Sequence, residues 1–367
     1  MDIPFNSLAP AVARIRPEIN AAIARVLDRG WFIHGPEDQD FEKKLASFFG
    51  VSDAVGVASG TDAIQLALMA LGVGPGDEVI VPALTAAPTA LAVIRTGAQP
   101  VFADVDPVTL TLDPARLDEC LSEHTRAIIP VHLYGLPADV KAIMDFAHQH
   151  KLLVLEDCAQ SHGATVDGRP AGTLGEIAAT SFYPTKNLGA YGDGGAVFSS
   201  DPDLVLKARQ LANLGQTGRY EHVYVGGINS RLDEIQAAIL SVELDHLAEM
   251  NQLRRERATW YDELLSGVPD LTLPAEPDGR EGVYHLYVVR HPRRDALREH
   301  LKSKGIGSDV HYPKSLTDQK AFAGIRAGTH GVPVTEKAVQ EILSLPMYPH
   351  LTQEQLEKVC EAIKEFK

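Results

Sequence analysis

The sequence predicts an α/β protein in which a mostly parallel sheet, covered by helices on both faces, is followed by a small α+β domain. Two observations lead to this fold class. Between residues 54 and 200, short and nearly continuous apolar runs are separated by helical patterns or by loops, as in parallel sheets that are buried on both sides. Beyond residue 202, long helical patterns take over. A chain of 367 residues is also too long for one small core.

Seven of the apolar runs are predicted strands, so a seven-stranded sheet is expected. Each run is short and lacks the alternation of a strand that faces water on one side, which favours strands buried on both faces. The predicted strands cover residues 54–58, 78–81, 100–105, 127–132, 152–156, 178–182 and 196–199.

Apolar residues at helical spacing predict the helices that alternate with these strands or follow them. Ile64, Leu68 and Leu71, for example, share one face of a helix over residues 61–71. Asp201-Pro202 is a typical helix start. The predicted helices cover residues 11–28, 61–71, 138–150, a segment from 201, a long segment from 229 to beyond 247, 293–304 and a closing segment from 352.

The composition changes near residues 245–252, and the predicted domain boundary lies there. Residues 1–248 form the large domain, with an N-terminal arm, and residues 249–367 form the small one. Strands at 284–289 and 343–348, together with helices, give the second domain its α+β character.

An aromatic loop, Trp31-Phe32-Ile33-His34, follows the first predicted helix and ends at Gly35-Pro36. Two interpretations are open for this loop. It is either a hydrophobic plug between subunits or domains, or one wall of a ligand pocket, because aromatic clusters serve both purposes.

Composition excludes several classes of protein. The formal charge of −15 leaves no fold-wide basic surface for nucleic acid. No run approaches the ~18 consecutive apolar residues of a membrane span, and the first residues lack the pattern of a signal peptide, so we expect a cytoplasmic protein that binds neither nucleic acid nor membrane. Three cysteines without a CxxC pair indicate neither disulfides nor a thiolate metal site.

Three predicted strand ends carry polar residues, and ligands of parallel sheets bind beyond such ends. Ser59-Gly60-Thr61-Asp62 opens a helix, where it either binds a phosphate through backbone N–H groups or simply caps the helix. Glu156-Asp157 places carboxylates at a buried strand end, where an unpaired charge is costly and needs a partner.

The third strand end leads through Ser181 to Lys186, inside a loop that continues to Gly194-Gly195. Backbone in such a loop is free to approach a ligand closely. Lys186 is either a solvated surface lysine or an amine of lowered pKa that forms an imine with a carbonyl cofactor.

Taken together, these motifs resemble the sugar aminotransferases of the DegT/DnrJ/EryC1/StrS family, over nearly the whole chain and in the expected order. The resemblance implies the pyridoxal phosphate (PLP) fold type I of aspartate aminotransferase. It also favours the interpretation of Lys186 as an amine that forms an imine over that of a solvated surface lysine. The motifs that carry it are Gly35-Pro36-Glu37 with Phe41-Glu42, Ser59 to Ala63, Glu156-Asp157 with Gln160, His162 and Gly163, Ser181-Phe182 with Lys186, Gly192 to Gly195, Asn229 to Leu232, His311-Tyr312-Pro313 and Leu345-Pro346.

The family then implies a role for each cofactor-binding position. Lys186 would hold pyridoxal phosphate as an imine and later shuttle a proton, with pyridoxamine phosphate as the intermediate form of the cofactor. Asp157 would pair with the pyridinium nitrogen, and Gln160 with the ring hydroxyl. Phosphate binding would fall to Gly60, Thr61 and Ser181, joined by Asn229 of a second subunit. A homodimer with shared active sites would therefore be the minimal active form.

For the sugar nucleotide, the resemblance points to Gly30 and Phe32 on one side and to Arg231, His311 and Tyr312 on the other. A guanidinium suits a phosphate or carboxylate, although Arg231 is equally placed to pair with Asp233 or Glu234. His311 has the alternative of packing within the small domain.

Two positions depart from the family pattern. Ala86 stands where many relatives carry an aromatic residue that covers the cofactor ring, so no stacking residue is assigned. His34 stands where leucine is frequent in relatives.

The expected reaction is transfer of an amino group from an amino acid, such as L-glutamate, to a keto carbon of a nucleotide-linked keto-deoxysugar. C3 of a dTDP-3-keto-6-deoxyhexose is the first expectation. A UDP-linked 3-keto uronic acid sugar and a 4-keto sugar nucleotide are the alternatives. Deoxysugar dehydratases of the same fold carry histidine at the lysine position, so Lys186 argues against them. A non-catalytic regulatory protein that binds pyridoxal phosphate is a further alternative.

Overall fold

The computed structural model describes residues 2–366 and is built around a seven-stranded sheet. The strands lie across the sheet in the order β1-β7-β6-β5-β4-β2-β3, and β7 alone runs antiparallel to its neighbours. The predicted sheet, mostly parallel and seven-stranded, is confirmed. In chain order its members are β1 (Asp53–Val57), β2 (Glu78–Pro82), β3 (Gln99–Ala103), β4 (Thr125–Ile128), β5 (Leu153–Asp157), β6 (Ile177–Ser181) and β7 (Gly195–Ser199).

Ten α-helices lie within the part of the chain that the structure describes. Three of them, the second, the fourth and the ninth, are absent from the sequence-based prediction, although each carries a proline in its first turn, where the missing N–H costs nothing. The helices are α1 (Ala9–Arg29), α2 (Pro36–Phe49), α3 (Gly60–Ala70), α4 (Ala87–Arg95), α5 (Val140–His150), α6 (Pro202–Ala212), α7 (Glu234–Leu265), α8 (Arg294–Ser303), α9 (Pro333–Glu341) and α10 (Gln353–Glu365).

Successive residues of the strands point to opposite faces of the sheet, and both faces are buried. Val55 of β1 packs in the cluster that includes the apolar face of α3, whereas Ala54 packs in the cluster that includes α2 and α7. Ile80 of β2 contributes to a third cluster, which includes the inner face of α5. Because neither side of the sheet faces water, its strands read as continuous apolar runs in the sequence.

Helix α7 begins at Glu234 rather than at residue 229. The N–H groups of Ile228 and Ser230 donate to the carbonyls of Leu211 and Ala212, which holds this stretch beside the end of α6 instead of in a helix. The helix then runs for 32 residues without a break. It crosses the predicted boundary between residues 248 and 249, and that division remains a prediction.

After α7, β8 (Tyr287–Arg290) and β9 (Ile342–Leu345) form an antiparallel pair, with α8, α9 and α10 in the same part of the chain. Strand β8 begins three residues later than predicted. The reason is that the N–H groups of Val283 and Leu286 donate to the carbonyls of Gly135 and Tyr134, in the segment after β4. Shorter strands occur at Thr165–Val166, Arg169–Pro170, Gln216–Gly218, Glu221–His222 and Arg280–Glu281.

Two further findings concern membrane-spanning helices and the cysteines. No helix within residues 2–366 is both long and apolar enough to cross a membrane. Cys120, Cys158 and Cys360 are all buried and unpaired.

Candidate active site

The lysine predicted from sequence lies in the loop after β6, beside the end of the neighbouring strand β5. The N–H of Lys186 donates to the carbonyl of Tyr183 at 2.8 Å, which fixes the turn that carries it. Burial lowers the pKa of the Lys186 amine to about 8, against the opposing influence of the Asp157 carboxylate. A larger share of neutral, nucleophilic amine is therefore present at neutral pH than for an ordinary lysine.

Asp157 ends β5 and is buried. Its Oδ2 accepts a hydrogen bond from the Thr89 hydroxyl at 3.0 Å, and its Oδ1 accepts one from the N–H of Ala159 at 3.1 Å. Burial raises the pKa of Asp157, although both hydrogen bonds and the Lys186 amine oppose that rise. A cationic ring nitrogen would supply the charge partner that a buried carboxylate requires.

Glu156, one residue earlier, faces the other side of β5 and has a complete set of partners. His132 lies 3.0 Å from its Oε2, and backbone N–H groups of Gly172, Leu174 and Gly175 donate to its two oxygens at 2.8–2.9 Å. Burial favours the neutral form, but these contacts prevail, so the pKa of Glu156 is lowered. This carboxylate holds the loop after β5 together and has no capacity left for a ligand.

The predicted phosphate-binding residues meet where β1 leads into α3. The Ser59 hydroxyl caps α3 by accepting from the N–H of Asp62 at 3.2 Å, so the capping alternative applies to Ser59. Gly60 lies so close to Ser181, at the end of β6, that a Cβ on Gly60 would be 2.5 Å from the Ser181 Cβ. Glycine is required for this approach, which brings the N-terminus of α3 beside Ser181.

Gln160, three residues after β5, connects the loop after β5 to Tyr134 and Tyr312. Its Oε1 accepts from the N–H of Tyr134 at 2.7 Å, and its Nε2 donates to the Tyr312 hydroxyl at 3.4 Å. The Tyr134 hydroxyl in turn donates to the carbonyl of His311. Tyr312 is thus held at the site, and burial raises the pKa of its hydroxyl to about 12.

His311 packs against both the C-terminal part of the chain and the N-terminal arm, so its contacts are not confined to the predicted small domain. Its Nδ1 lies 2.9 Å from the Ser344 hydroxyl of β9, and its ring stacks on Phe5 at 5.5 Å between centroids. Burial lowers its pKa. Its backbone carbonyl, rather than its ring, joins the hydrogen-bond network around Gln160.

The remaining predicted residues are not brought into this cluster. Arg231 donates to the Asn213 side chain at 3.3 Å, and its expected acidic neighbour Glu234 instead accepts from backbone N–H groups at the start of α2. Asn229 is exposed. Gly30 ends α1, and Phe32 beside it is 47% exposed.

An amide pair that sequence analysis missed ties the two catalytic loops together. Asn187, directly after the lysine, donates through Nδ2 to Asn251 Oδ1 at 2.8 Å and to the carbonyl of Val283 at 3.0 Å. Asn251, on α7, donates to the carbonyl of His162 at 2.7 Å. The loop after β5 and the loop after β6 are therefore held to one helix, which fixes Lys186 relative to Asp157.

His162 itself has a structural role. Its Nε2 lies 2.7 Å from the Thr180 hydroxyl of β6, and burial lowers its pKa to about 3. A neutral imidazole bound in this way supports the strand end and does not exchange protons near neutral pH.

The comparison with known proteins decides the family. The sequence model of the DegT/DnrJ/EryC1/StrS aminotransferase family matches residues 13–364. The chain belongs to this family. Its predicted fold, its activity as an aminotransferase and its cofactor, pyridoxal phosphate, are confirmed.

Individual relatives within the DegT/DnrJ/EryC1/StrS family are similar over their whole length. The dTDP-3-amino-3,4,6-trideoxy-α-D-glucose transaminase of Streptomyces venezuelae is 45% identical, covering 99% of this chain and 96% of the relative. The UDP-N-acetyl-3-dehydro-α-D-glucosamine 3-aminotransferase of Acidithiobacillus ferrooxidans is 46% identical, covering 99% and 97%. The crystal structure of S. venezuelae DesV in complex with a ketimine intermediate superposes with a TM-score of 0.96 at 45% identity, covering 99% and 98%.

Proposed function

We propose that this aminotransferase moves the amino group of L-glutamate to C3 of a dTDP-linked 3-keto-6-deoxyhexose. The observation that carries the proposal is the placement of Lys186, an amine of lowered pKa, near the buried carboxylate Asp157, so that each group influences the pKa of the other. Similarity to a transaminase whose product is a dTDP-3-amino sugar supports the choice of substrate.

Each group at the site has a distinct task in this reaction. Pyridoxal phosphate supplies a carbonyl that takes up the amino group and a ring that accepts negative charge. Lys186 holds the cofactor covalently and, once released, moves a proton to and from the reacting substrate carbon. Asp157 pairs with the ring nitrogen and keeps it protonated. Gln160 bonds the ring hydroxyl.

The phosphate of the cofactor is proposed to bind at the start of α3, at Gly60 and Thr61, and at Ser181 beside it. In the proposed homodimer, Asn229 of the partner subunit completes this site. Asn229 is exposed within one chain, as are the aromatic residues Trp31 (55%) and Phe32 (47%) after α1. An interface covering these residues would bury apolar surface, which favours association.

The sugar nucleotide is proposed to lie against Gly30 and Phe32 on one side and against Arg231, His311 and Tyr312 on the other. Within this set, the Tyr312 hydroxyl contacts a residue proposed to bind the cofactor, because Gln160 Nε2 donates to it at 3.4 Å. Within residues 2–366, the side chain of Arg231 donates to the neutral Asn213 side chain and to no carboxylate, which leaves the guanidinium available to a phosphate.

A second substrate class is supported by the comparison with the A. ferrooxidans enzyme, whose name identifies a UDP-linked 3-keto sugar and whose identity is 46%. The deciding experiment supplies the purified enzyme with glutamate and, separately, a dTDP-3-keto-6-deoxyhexose, a UDP-linked 3-keto sugar and a 4-keto sugar nucleotide. Nuclear magnetic resonance then identifies the aminated carbon. The proposal requires the highest kcat/KM with the dTDP-3-keto sugar; a preference for either other class would replace it.

A further inference from the structure

The aromatic loop between α1 and α2 is held by backbone contacts to the start of α7. The carbonyl of Phe32 accepts from the N–H of Glu234 at 3.1 Å, and Ile33 pairs with Asp233 in an isolated antiparallel bridge. The Trp31 indole N–H donates back to the carbonyl of Ile33 at 2.6 Å. The loop therefore has a defined shape, although Trp31 and Phe32 are about half exposed.

His34 ends this loop in a backbone conformation that few side chains adopt. Its φ is 53°, in the left-handed region, where a residue other than glycine is uncommon and is strained. Such a conformation persists only where neighbouring contacts hold it. Gly35, the next residue, is fixed because its N–H donates to Glu234 Oε1 at 2.8 Å. His34 is thus held at the junction between the aromatic loop and the start of α2.

The His34 ring faces the carboxylate of Asp38, four residues further along the chain. Nδ1 of His34 lies 3.5 Å from Oδ2 of Asp38, within the range of an ion pair. Asp38 is 3% exposed. Within residues 2–366, Nε2 of His34 and Oδ1 of Asp38 are both enclosed and have no hydrogen-bond partner. Because an enclosed polar atom without a partner is costly, each side chain depends on the contact between the other two atoms.

No other basic group of residues 2–366 lies within 4.0 Å of the Asp38 carboxylate. Arg209 serves Glu42 instead, one turn further along α2: its Nη1 donates to Glu42 Oε2 at 2.6 Å, while the N–H of Gly56 donates to Oε1 at 2.8 Å. Burial raises the pKa of Glu42 to about 7, and the Asp38 carboxylate contributes to the rise. A like charge so near increases the need of Asp38 for a partner, and His34 is the partner available.

We propose that His34 and Asp38 form a latch that fixes the aromatic loop to α2, which makes His34 a positioning residue for the sugar nucleotide. The inference rests on the proposed function, in which the sugar nucleotide lies against Gly30 and Phe32. A loop that is already fixed does not have to be ordered when its ligand binds, and this favours affinity. The latch involves no covalent change, and it acts on the acceptor sugar rather than on the amino donor.

Trp31 provides a readout of the latch that needs no substrate. The chain has two tryptophans, and the other, Trp260, packs against Arg257 on α7, so Trp260→Phe leaves Trp31 as the only indole. Acrylamide quenching of its fluorescence is measured in the cofactor-containing protein, with and without His34→Leu or Asp38→Asn. Release of the loop would take Trp31 from 55% exposure toward full exposure, so either substitution should raise the quenching constant up to about twofold.

Steady-state kinetics separate the latch from a general loss of structure. His34→Leu and Asp38→Asn should each raise KM for a dTDP-3-keto-6-deoxyhexose about tenfold and leave the glutamate half-reaction, measured without sugar nucleotide, unchanged. His34→Asn should restore KM, because asparagine keeps an N–H donor on its side chain and tolerates a positive φ. Asp40→Asn is the control and should not change KM, because Asp40 is exposed on α2 and pairs with Lys43 at 3.4 Å.

A double variant tests whether the two residues act as a unit. If they do, His34→Leu combined with Asp38→Asn raises KM no further than the single substitutions. Additive effects on KM, or a Trp31 quenching constant that neither substitution raises, would overturn the inference. If His34→Leu does not fold, His34→Gly takes its place, because glycine accepts the positive φ but lacks the ring; wild-type quenching and KM in His34→Gly would also overturn it.

The two proposals fail in different ways. If the wild-type enzyme prefers another class of sugar nucleotide, the proposed substrate is wrong, whereas Trp31 quenching still decides whether the latch exists. If the dTDP-linked sugar is the substrate but its KM is the same in the wild type and in His34→Leu, the substrate is right and His34 does not position the loop for it.

Discussion

The lowered pKa of Lys186 gives a quantitative prediction for how the cofactor attaches. With a pKa of about 8 instead of 10.5, about one amine in ten is neutral at pH 7, compared with about one in 3,000 for an unperturbed lysine. The neutral form is thus about 300-fold more abundant. Since only this form attacks a carbonyl, the rate at which pyridoxal phosphate attaches to the cofactor-free protein should rise with pH and reach half its maximum near pH 8.

Replacing Asp157 by asparagine tests whether the Asp157 carboxylate contributes to the pKa of Lys186. The Asp157 carboxylate raises the pKa of Lys186, in opposition to burial. Removing its charge leaves burial unopposed, so the pKa falls further, and half-maximal attachment in Asp157→Asn should move to lower pH. Stopped-flow absorbance from about pH 6 to 10 measures both midpoints. Asp40→Asn is the control, because Asp40 is exposed and pairs with Lys43.

Two results would refute this reasoning. A wild-type midpoint near that of a free lysine would show that burial does not depress the pKa. A midpoint in Asp157→Asn that is unchanged or higher than in the wild type would show that the carboxylate does not act on the amine.

Three further substitutions test the contacts around the site. Thr89→Val leaves Oδ2 of the buried Asp157 without its hydroxyl donor and should lower the free energy of unfolding by about 1–3 kcal/mol; urea denaturation should show that Thr89→Ser is spared, and equal losses would contradict the assignment. Asn187→Ala frees the Lys186 loop from Asn251 and Val283 and should lower kcat roughly tenfold with little change in KM, so an unchanged kcat would exclude a positioning role. Gly60→Ala places a Cβ 2.5 Å from the Ser181 Cβ and should weaken cofactor binding at least about tenfold in a fluorescence titration, whereas Gly74→Ala, whose Cβ would be 3.8 Å from its nearest neighbour, should not.

The sheet could be predicted because the apolar pattern of each buried strand lies within a few consecutive residues. A strand buried on both faces is apolar along most of its length, as at residues 79–82 of β2 and 196–198 of β7, and the pattern is visible within a few residues. Helix α2 was harder to predict because its N-terminus depends on the Glu234 carboxylate, 196–199 residues away along the chain.

The residues of the candidate site also differ in whether the local sequence reveals them. Asp157 and Ser181 end strands and Lys186 follows five residues after Ser181, so a rule about sheets pointed to this region, whereas the family resemblance was needed to give Lys186 its role. Thr89 is 68 residues from Asp157, Asn251 is 64 residues from Asn187, and both pairs form only when the chain folds. Neither residue belongs to a motif that its neighbours in sequence would reveal.

Arg231 shows a limit of reasoning from local charge. Its sequence neighbours Asp233 and Glu234 are near enough to suggest an ion pair. In the folded chain, however, the Glu234 carboxylate accepts from a backbone N–H at the start of α2, and Arg231 donates to the Asn213 side chain. Asn229 shows a second limit, because its side chain makes no hydrogen bond within residues 2–366 and its proposed role lies in a partner subunit.

Transfer of isotopic nitrogen is the most direct measurement of the central claim. The enzyme is incubated with pyridoxal phosphate, ¹⁵N-labelled L-glutamate and a dTDP-3-keto-6-deoxyhexose, and the product is examined by mass spectrometry and nuclear magnetic resonance. We predict one ¹⁵N atom at C3 of the sugar with the wild type and none with Lys186→Ala. An unlabelled sugar with the wild type, or label that persists without Lys186, would contradict the account.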